Sequence, residues 1–106
     1  MHFYSVERVH IMASAEFDYL RRYLRARRNA RAGLGLPAQM ELLDLIHCLP
    51  VLLAGSPSEA FCATLALLPQ GGVREDLMLV LPDAHADHAY ALVGTAIDTI
   101  HAIHAQ

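Results

Sequence analysis

Six of the eight basic residues of this chain lie between Arg21 and Arg31, and they are the first candidates for chemistry. All eight are arginines, and two tyrosines, Tyr19 and Tyr23, lie in or beside this cluster. Guanidinium groups bind carboxylates and phosphates, and arginine and tyrosine are enriched at protein interfaces. Three interpretations stay open at this point: a solvated helix face, the rim of a protein-binding surface, or a nucleic-acid-binding module.

The spacing of the arginines favours an interface over plain core packing. Arg27 and Arg31 continue the helical stripe that Leu20 and Leu24 begin, so the inward side of the predicted helix becomes charged halfway along. A rim of arginines around an apolar patch would account for this change. The predicted partner-binding residues are Phe17, Tyr19, Leu20, Tyr23, Leu24, Arg25 and Arg28.

Histidines form two pairs with metal-chelating spacing, His85 with His88 and His101 with His104. Two ligands do not complete a site, and the pairs lie about 24 Å apart along a helix with 1.5 Å rise per residue. We therefore predict surface histidines, with no metal and no cofactor.

Signatures of catalysis are missing from the sequence. His47 and Cys48 are adjacent, so a helix would point them in different directions. Glu75 and Asp76 are also adjacent, and we interpret them as surface charge in a turn. No serine elbow or glycine-rich phosphate loop is present. The sequence predicts no catalytic residues, and we do not expect an enzyme.

The composition indicates one domain, residues 1–106, with more apolar surface than it can bury. Apolar residues make up 55% of the chain, and Ala and Leu dominate them, which favours helices. A chain of this size buries only roughly 65% of its unfolded surface. An exposed apolar remainder indicates a homodimer, a partner protein, or both. The net charge of −3 argues against general binding to nucleic acid.

The sequence predicts a cytoplasmic protein that does not span a membrane. Cys48 and Cys62 lack CxxC spacing, and charged residues interrupt the start of the chain where a signal peptide would lie. The longest apolar run, 42–54, is broken by Asp44 and Pro50.

Capping and turn residues predict the first elements. Residues 2–12 are typical of a short strand or an extended arm. A helix is expected to begin with Ser14 as its N-cap and to end at Gly33. A second helix is expected from Pro37, with a kink at Pro50. Its predicted apolar stripe is Leu42, Leu45, Leu49 and Leu52.

The sequence in the middle of the chain is compatible with either a helix or a strand. Ser56, Pro57 and Glu59 predict a capped helix over 57–68. The alternative is a strand at 61–68 that pairs with 76–81 across the turn at 69–72. The run 77–81 (LMLVL) is typical of a buried strand, and a lone strand needs a partner, which favours the hairpin somewhat. The N-terminal arm is the alternative partner for this strand. The expected fold class is α+β, mostly helical, with three to four helices and a short two-stranded element.

A long final helix, capped by Asp83, is predicted to mediate self-association. Apolar residues repeat along it at alternating intervals of three and four, which is the pattern of paired helices. The predicted dimer-interface residues are Ala89, Val93, Ala96, Ile100 and Ile103.

Three segments resemble a known family: the opening MHFYSVERVHIM, the arginine-rich EFDYLRRYLRARRNAR and the closing DAHADHAYALVGTAIDTIHAIHAQ. Together they resemble the quorum-sensing anti-activators of the QslA type. The resemblance implies a dimeric, non-enzymatic protein that binds a LuxR-type transcription activator and blocks its dimerisation and DNA binding. It assigns no residue roles. The alternative from the residues is a small nucleic-acid-binding module that uses the Arg21–Arg31 helix.

Overall fold

The computed structural model describes residues 12–80 and 86–105, and all regular structure in these residues is helical. The six helices are α1 (Ser14–Arg31), α2 (Leu36–His47), α3 (Leu49–Ala54), α4 (Glu59–Ala66), α5 (Gly72–Val80) and α6 (Ala86–Ala105). The helical part of the prediction is confirmed. The α+β class is wrong, because the described residues contain no strand.

The helices pack in two groups that share one core. Helix α1 packs on α2, and α6 packs on α3 and α4. Helix α5 joins the groups, because it contacts α2, α4 and α6. The core consists of buried apolar side chains from all six helices, among them Tyr23, Leu42, Ile46, Leu49, Phe61, Leu65, Leu77 and Ile100.

Local chemistry sets both ends of α1, close to where the sequence predicted them. Ala13 occupies the N-cap position, one residue before the predicted Ser14, and its N–H donates to Glu16 Oε1 at 2.9 Å. At the other end Gly33 has a φ of +75°, a conformation that glycine adopts without steric cost. The N–H groups of Gly33 and Leu34 then bond back to the carbonyls of Ala30 and Asn29, which closes the helix.

The predicted kink at Pro50 is present as the break between α2 and α3 at Cys48. By length and composition alone, the stretch Leu36–Ala54 would suffice to cross a membrane, which is weak evidence because core helices meet the same criterion. Within this stretch Leu42, Ile46 and Leu49 are fully buried, whereas 28% of the apolar window as a whole is buried. The absence of a membrane span stays a prediction.

Helix α4 settles the ambiguity over 57–68 against the hairpin. Its N-cap is Ser58, not the predicted Ser56, and Ser58 Oγ accepts a hydrogen bond from the Phe61 N–H at 3.1 Å. Ser56 instead has a φ of +59°, which places it in the loop before the helix. The helix presents Phe61, Cys62 and Leu65 to the core.

The predicted strand at 77–81 is wrong, because residues 72–80 form helix α5. Its inward residues are Val73, Asp76, Leu77 and, half-buried, Val80. This spacing of three, one and three is helical, but one of its four positions is an aspartate. The carboxylate interrupted the apolar pattern in the sequence and left only the short run 77–81 to be interpreted. Of the predicted N-terminal arm at 2–12, all but Met12 lies outside the described residues, as does the Asp83 cap.

Candidate functional site

The structure divides the arginine cluster of α1 between two sides of the helix. Arg27 is buried, and Arg31 reaches inward from a more exposed position, so both contact Asp76 on α5. Arg21, Arg25 and Arg28 are exposed on the outer side. The inward charge that looked unusual in the sequence therefore has an internal partner. The outer arginines, together with the exposed Arg22, are the arginines of α1 available to another molecule.

Asp76 is fully buried and accepts hydrogen bonds from three side chains of α1. Arg27 Nε lies 2.8 Å from Asp76 Oδ2, and Arg31 Nη2 lies 2.6 Å from Asp76 Oδ1. The Tyr23 hydroxyl donates to Oδ2 at 2.8 Å. Arg27 and Arg31 also donate to the carbonyls of Pro69 and Gln70. These bonds fix α5 and the loop before it against α1.

Two tyrosines of the core are held in their neutral form. Burial, followed by the nearby carboxylate of Asp76, raises the pKa of Tyr23 far above its ordinary value. Burial likewise raises the pKa of Tyr19, whose hydroxyl donates to the carbonyl of Leu45. Both hydroxyls therefore act as hydrogen-bond donors inside the protein, and neither is available for chemistry at its surface.

The outer side of α1 combines exposed apolar side chains with cations. Phe17 is 55% exposed and Leu24 is 44% exposed, although both are large apolar side chains. Phe17 and Leu24 lie on the same side of the helix as the outer arginines, because these five positions follow one another at helical intervals of four, three, one and three residues. We call this surface the outer face of α1 and define it as Phe17, Arg21, Leu24, Arg25 and Arg28. Asp18, also exposed, lies at its edge.

A shallow groove of about 270 Å³ continues the outer face toward the end of α1. Leu24 and the arginines at positions 27, 28 and 31 line it together with Gln70. Arg27 and Arg31 are already bound to Asp76, so Arg28 is the cation of the groove without an ion-pair partner among the described residues. The groove could receive an acidic side chain beside an apolar one.

The predicted partner-binding residues do not form one surface. Phe17, Leu24, Arg25 and Arg28 are exposed, whereas Tyr19, Leu20 and Tyr23 are buried. The three buried residues belong to the core, where Tyr19 packs against Tyr23 and Phe61 with ring centroids 5.9 and 5.8 Å apart. The prediction that these three residues bind a partner is therefore wrong, and their role is structural. Arg21 belongs to the surface and was absent from the prediction.

The predicted dimer seam of α6 is largely used inside the chain. Ala96 and Ile100 are buried in the core, and Ile103 is half-buried against it. The side chains of Ala89 and Val93 lie outside the described part of the structure. The alternating spacing therefore reflects packing of α6 on α3 and α4 for these three residues, and they cannot form the free seam that was predicted.

The remaining sequence candidates give no site in the described residues. Among these, no group of three or more potential metal ligands occurs. His101 and His104 therefore belong to no such group, and His85 and the His88 side chain lie outside the described part. Cys48 is exposed and Cys62 is buried, and burial raises the pKa of the Cys62 thiol. A raised thiol pKa reduces the reactive thiolate fraction.

Asp76 is the important residue that sequence reasoning misassigned, because it was taken with Glu75 as surface charge. Glu75 is indeed exposed, but Asp76 is fully buried. A usable signal existed: Arg27 and Arg31 on the inward stripe of α1 required a buried acid somewhere in the chain. Comparison with known proteins adds no family, since no family model, curated protein or solved structure matches this chain.

Proposed function

We propose that this chain is a non-enzymatic, cytoplasmic regulatory protein that binds another protein through the outer face of α1. The observation that carries the proposal is the exposure of Phe17 and Leu24 among three exposed arginines that make no ion pair with another described residue. Aromatic residues and arginine are enriched at protein interfaces, and an exposed leucine beside them adds apolar area that a partner could bury. A solvated helix face would gain nothing from exposing them.

The proposed partner is a LuxR-type transcription activator, which the family resemblance of the sequence suggests. The chain would inhibit the activator by covering the surface through which it dimerises, and so keep it from DNA. Burial of Phe17 and Leu24 would supply affinity, while the outer arginines would select a partner surface that carries carboxylates. The outer face is cationic although the whole chain is acidic, which makes such selection effective.

The direct test is calorimetric titration of the purified chain into a LuxR-type activator encoded in the same genome. Wild-type chain is expected to bind, and the double variant Phe17→Ser with Leu24→Ser to lose about tenfold in affinity for each side chain removed. The matched control is Val51→Ser on α3, which changes a still more exposed apolar residue, 78% accessible, away from α1. The proposal fails if wild type does not bind, or if the double variant binds as wild type does.

The rival function, binding to nucleic acid, draws on four outward arginines of α1: Arg21, Arg22, Arg25 and Arg28. If all four neutralised phosphates, the logarithm of the binding constant would fall with the logarithm of salt concentration with a slope of about −3.6. A salt titration with generic duplex DNA separates the two functions. Binding with such a slope favours the rival, and no binding to duplex favours the protein partner.

Self-association also stays a proposal, but without Ala96 and Ile100 as its interface. Exposed large apolar residues remain elsewhere in the described part, including Leu36, Met40 and Val51. Light scattering coupled to gel filtration would give the oligomeric state.

A further inference from the structure

A second groove lies away from the outer face of α1, between the end of α4, the start of α5 and the middle of α6. Its volume is about 330 Å³. That volume is at the lower end of the range for small-molecule sites, about 300–1,000 Å³, and about twice that of an apolar cavity of about 150 Å³ that holds benzene. The groove can therefore accept a small organic molecule.

The floor of the groove is apolar. Three helices contribute to it, and its most deeply buried members come from each of them: Leu65, Val73, Ile97 and Ile100. An alkyl chain laid on this floor would leave water, which is favourable roughly in proportion to the apolar area covered.

The groove has one cation, Arg74, and one imidazole, His101. Both line it and are exposed, which places them at its opening. Neither makes an ion pair or hydrogen bond with another described residue. No aspartate or glutamate is among the described residues that line the groove. A ligand would therefore meet an apolar floor with one guanidinium group, that of Arg74, at its opening.

We propose that this groove binds a small amphiphilic carboxylate, a molecule with a short hydrocarbon chain that ends in one carboxylate group. The chain would lie on the floor formed by α4 and α6, and the carboxylate would pair with Arg74, whose planar guanidinium matches it with two parallel hydrogen bonds. His101 would donate a further N–H from the other side of the opening. This site is independent of the partner-binding face.

The test uses isotope-labelled protein, nuclear magnetic resonance and three probes: sodium octanoate below its micelle-forming concentration, 1-octanol and sodium acetate. Octanoate is expected to shift the amide signals of Gly71, Gly72 and Ile97, which lie along the groove. Octanol lacks the charge and should bind about tenfold more weakly, the effect of losing one charge-assisted contact. Acetate lacks the chain and should not bind.

Variants then test the contribution of the Arg74 charge and that of the apolar groove one at a time. Arg74→Gln should lower the affinity for octanoate about tenfold and leave octanol unchanged, because only the charge is removed. Ala66→Phe should fill the groove and abolish binding of both. Arg22→Gln, which removes an exposed arginine of α1, is the control and should change neither. The proposal is overturned if octanoate does not bind, binds elsewhere, or binds Arg74→Gln and wild type equally.

Discussion

At the scale of single residues, the contact between Asp76 and the arginines of α1 explains most of what is unusual in this sequence. Two cations and one tyrosine hydroxyl surround a carboxylate that has no access to solvent. Among the described buried side chains, no nitrogen or oxygen atom lacks a hydrogen-bond partner. A buried charge of this kind is tolerated only while its partners stay in place.

Asp76→Asn is therefore expected to destabilise the protein by about 3–5 kcal/mol, because it leaves the Arg27 charge buried without a counter-ion. The measurement is urea unfolding followed by circular dichroism. Its matched control is Glu75→Gln, the same change of an acid to its amide at the exposed neighbouring residue, with an expected effect within about 0.5 kcal/mol. Equal effects of the two variants would refute the assigned role of Asp76.

This residue also shows why part of the site could not be predicted from the sequence. Glu75 and Asp76 are chemically alike and adjacent, and only the orientation of α5 decides which one faces α1. That orientation depends on contacts between residues about fifty positions apart, such as Arg27 with Asp76. Patterns within a short window contain no such information, whereas the local capping of α1 and the break at Pro50 do depend on neighbouring residues and were predicted closely.

At the scale of elements, α5 is the helix that decides the fold class. If 77–81 were a strand, Leu77 and Leu79 would point to the same face, since side chains alternate along a strand. In the helix they diverge: Leu77 is fully buried and Leu79 is 45% exposed. The apolar run itself is compatible with both a helix and a strand. The sequence alone therefore favoured the strand only through the weaker argument that a lone strand requires a partner.

The two leucines give a test of this element. Leu77→Ala should cost about 2–5 kcal/mol of unfolding free energy, because it leaves a cavity in the core. Leu79→Ala, the same substitution two residues later, should cost about 1 kcal/mol or less, because its side chain already contacts solvent. Both values come from urea unfolding. Similar large losses at both positions would indicate a strand and contradict the helical assignment.

At the scale of the whole molecule, the apolar side chains lie in two places, the shared core and the exposed surface. Many of them form the shared core, including Ala96 and Ile100 of α6, which the sequence assigned to a dimer seam. For Ala96 and Ile100 the sequence could not distinguish the two uses, because an amphipathic helix shows the same spacing whether it packs within its own chain or against a copy. Nine large apolar side chains of the described residues remain exposed: Phe17, Leu24, Leu34, Leu36, Met40, Val51, Leu67, Met78 and Leu79.

Of these nine, Phe17 and Leu24 have the outer arginines beside them on the same helix face, which is why the proposed binding function is assigned to α1. Charge makes this face selective, while its apolar residues supply affinity. The same reasoning gives the outer face a distinct boundary. Arg22 is exposed on α1 but lies on the other side of Asp18, outside that face.

The most direct test of the proposed function is the affinity of charge-reversed chains for the LuxR-type activator, measured by calorimetry at fixed salt. Arg25→Glu with Arg28→Glu should weaken binding at least about tenfold without changing the unfolding midpoint, because both arginines are exposed on the outer face. Arg22→Glu should bind as wild type does. Unchanged affinity after reversal of Arg25 and Arg28, in a chain whose wild type binds, would contradict a partner surface on α1.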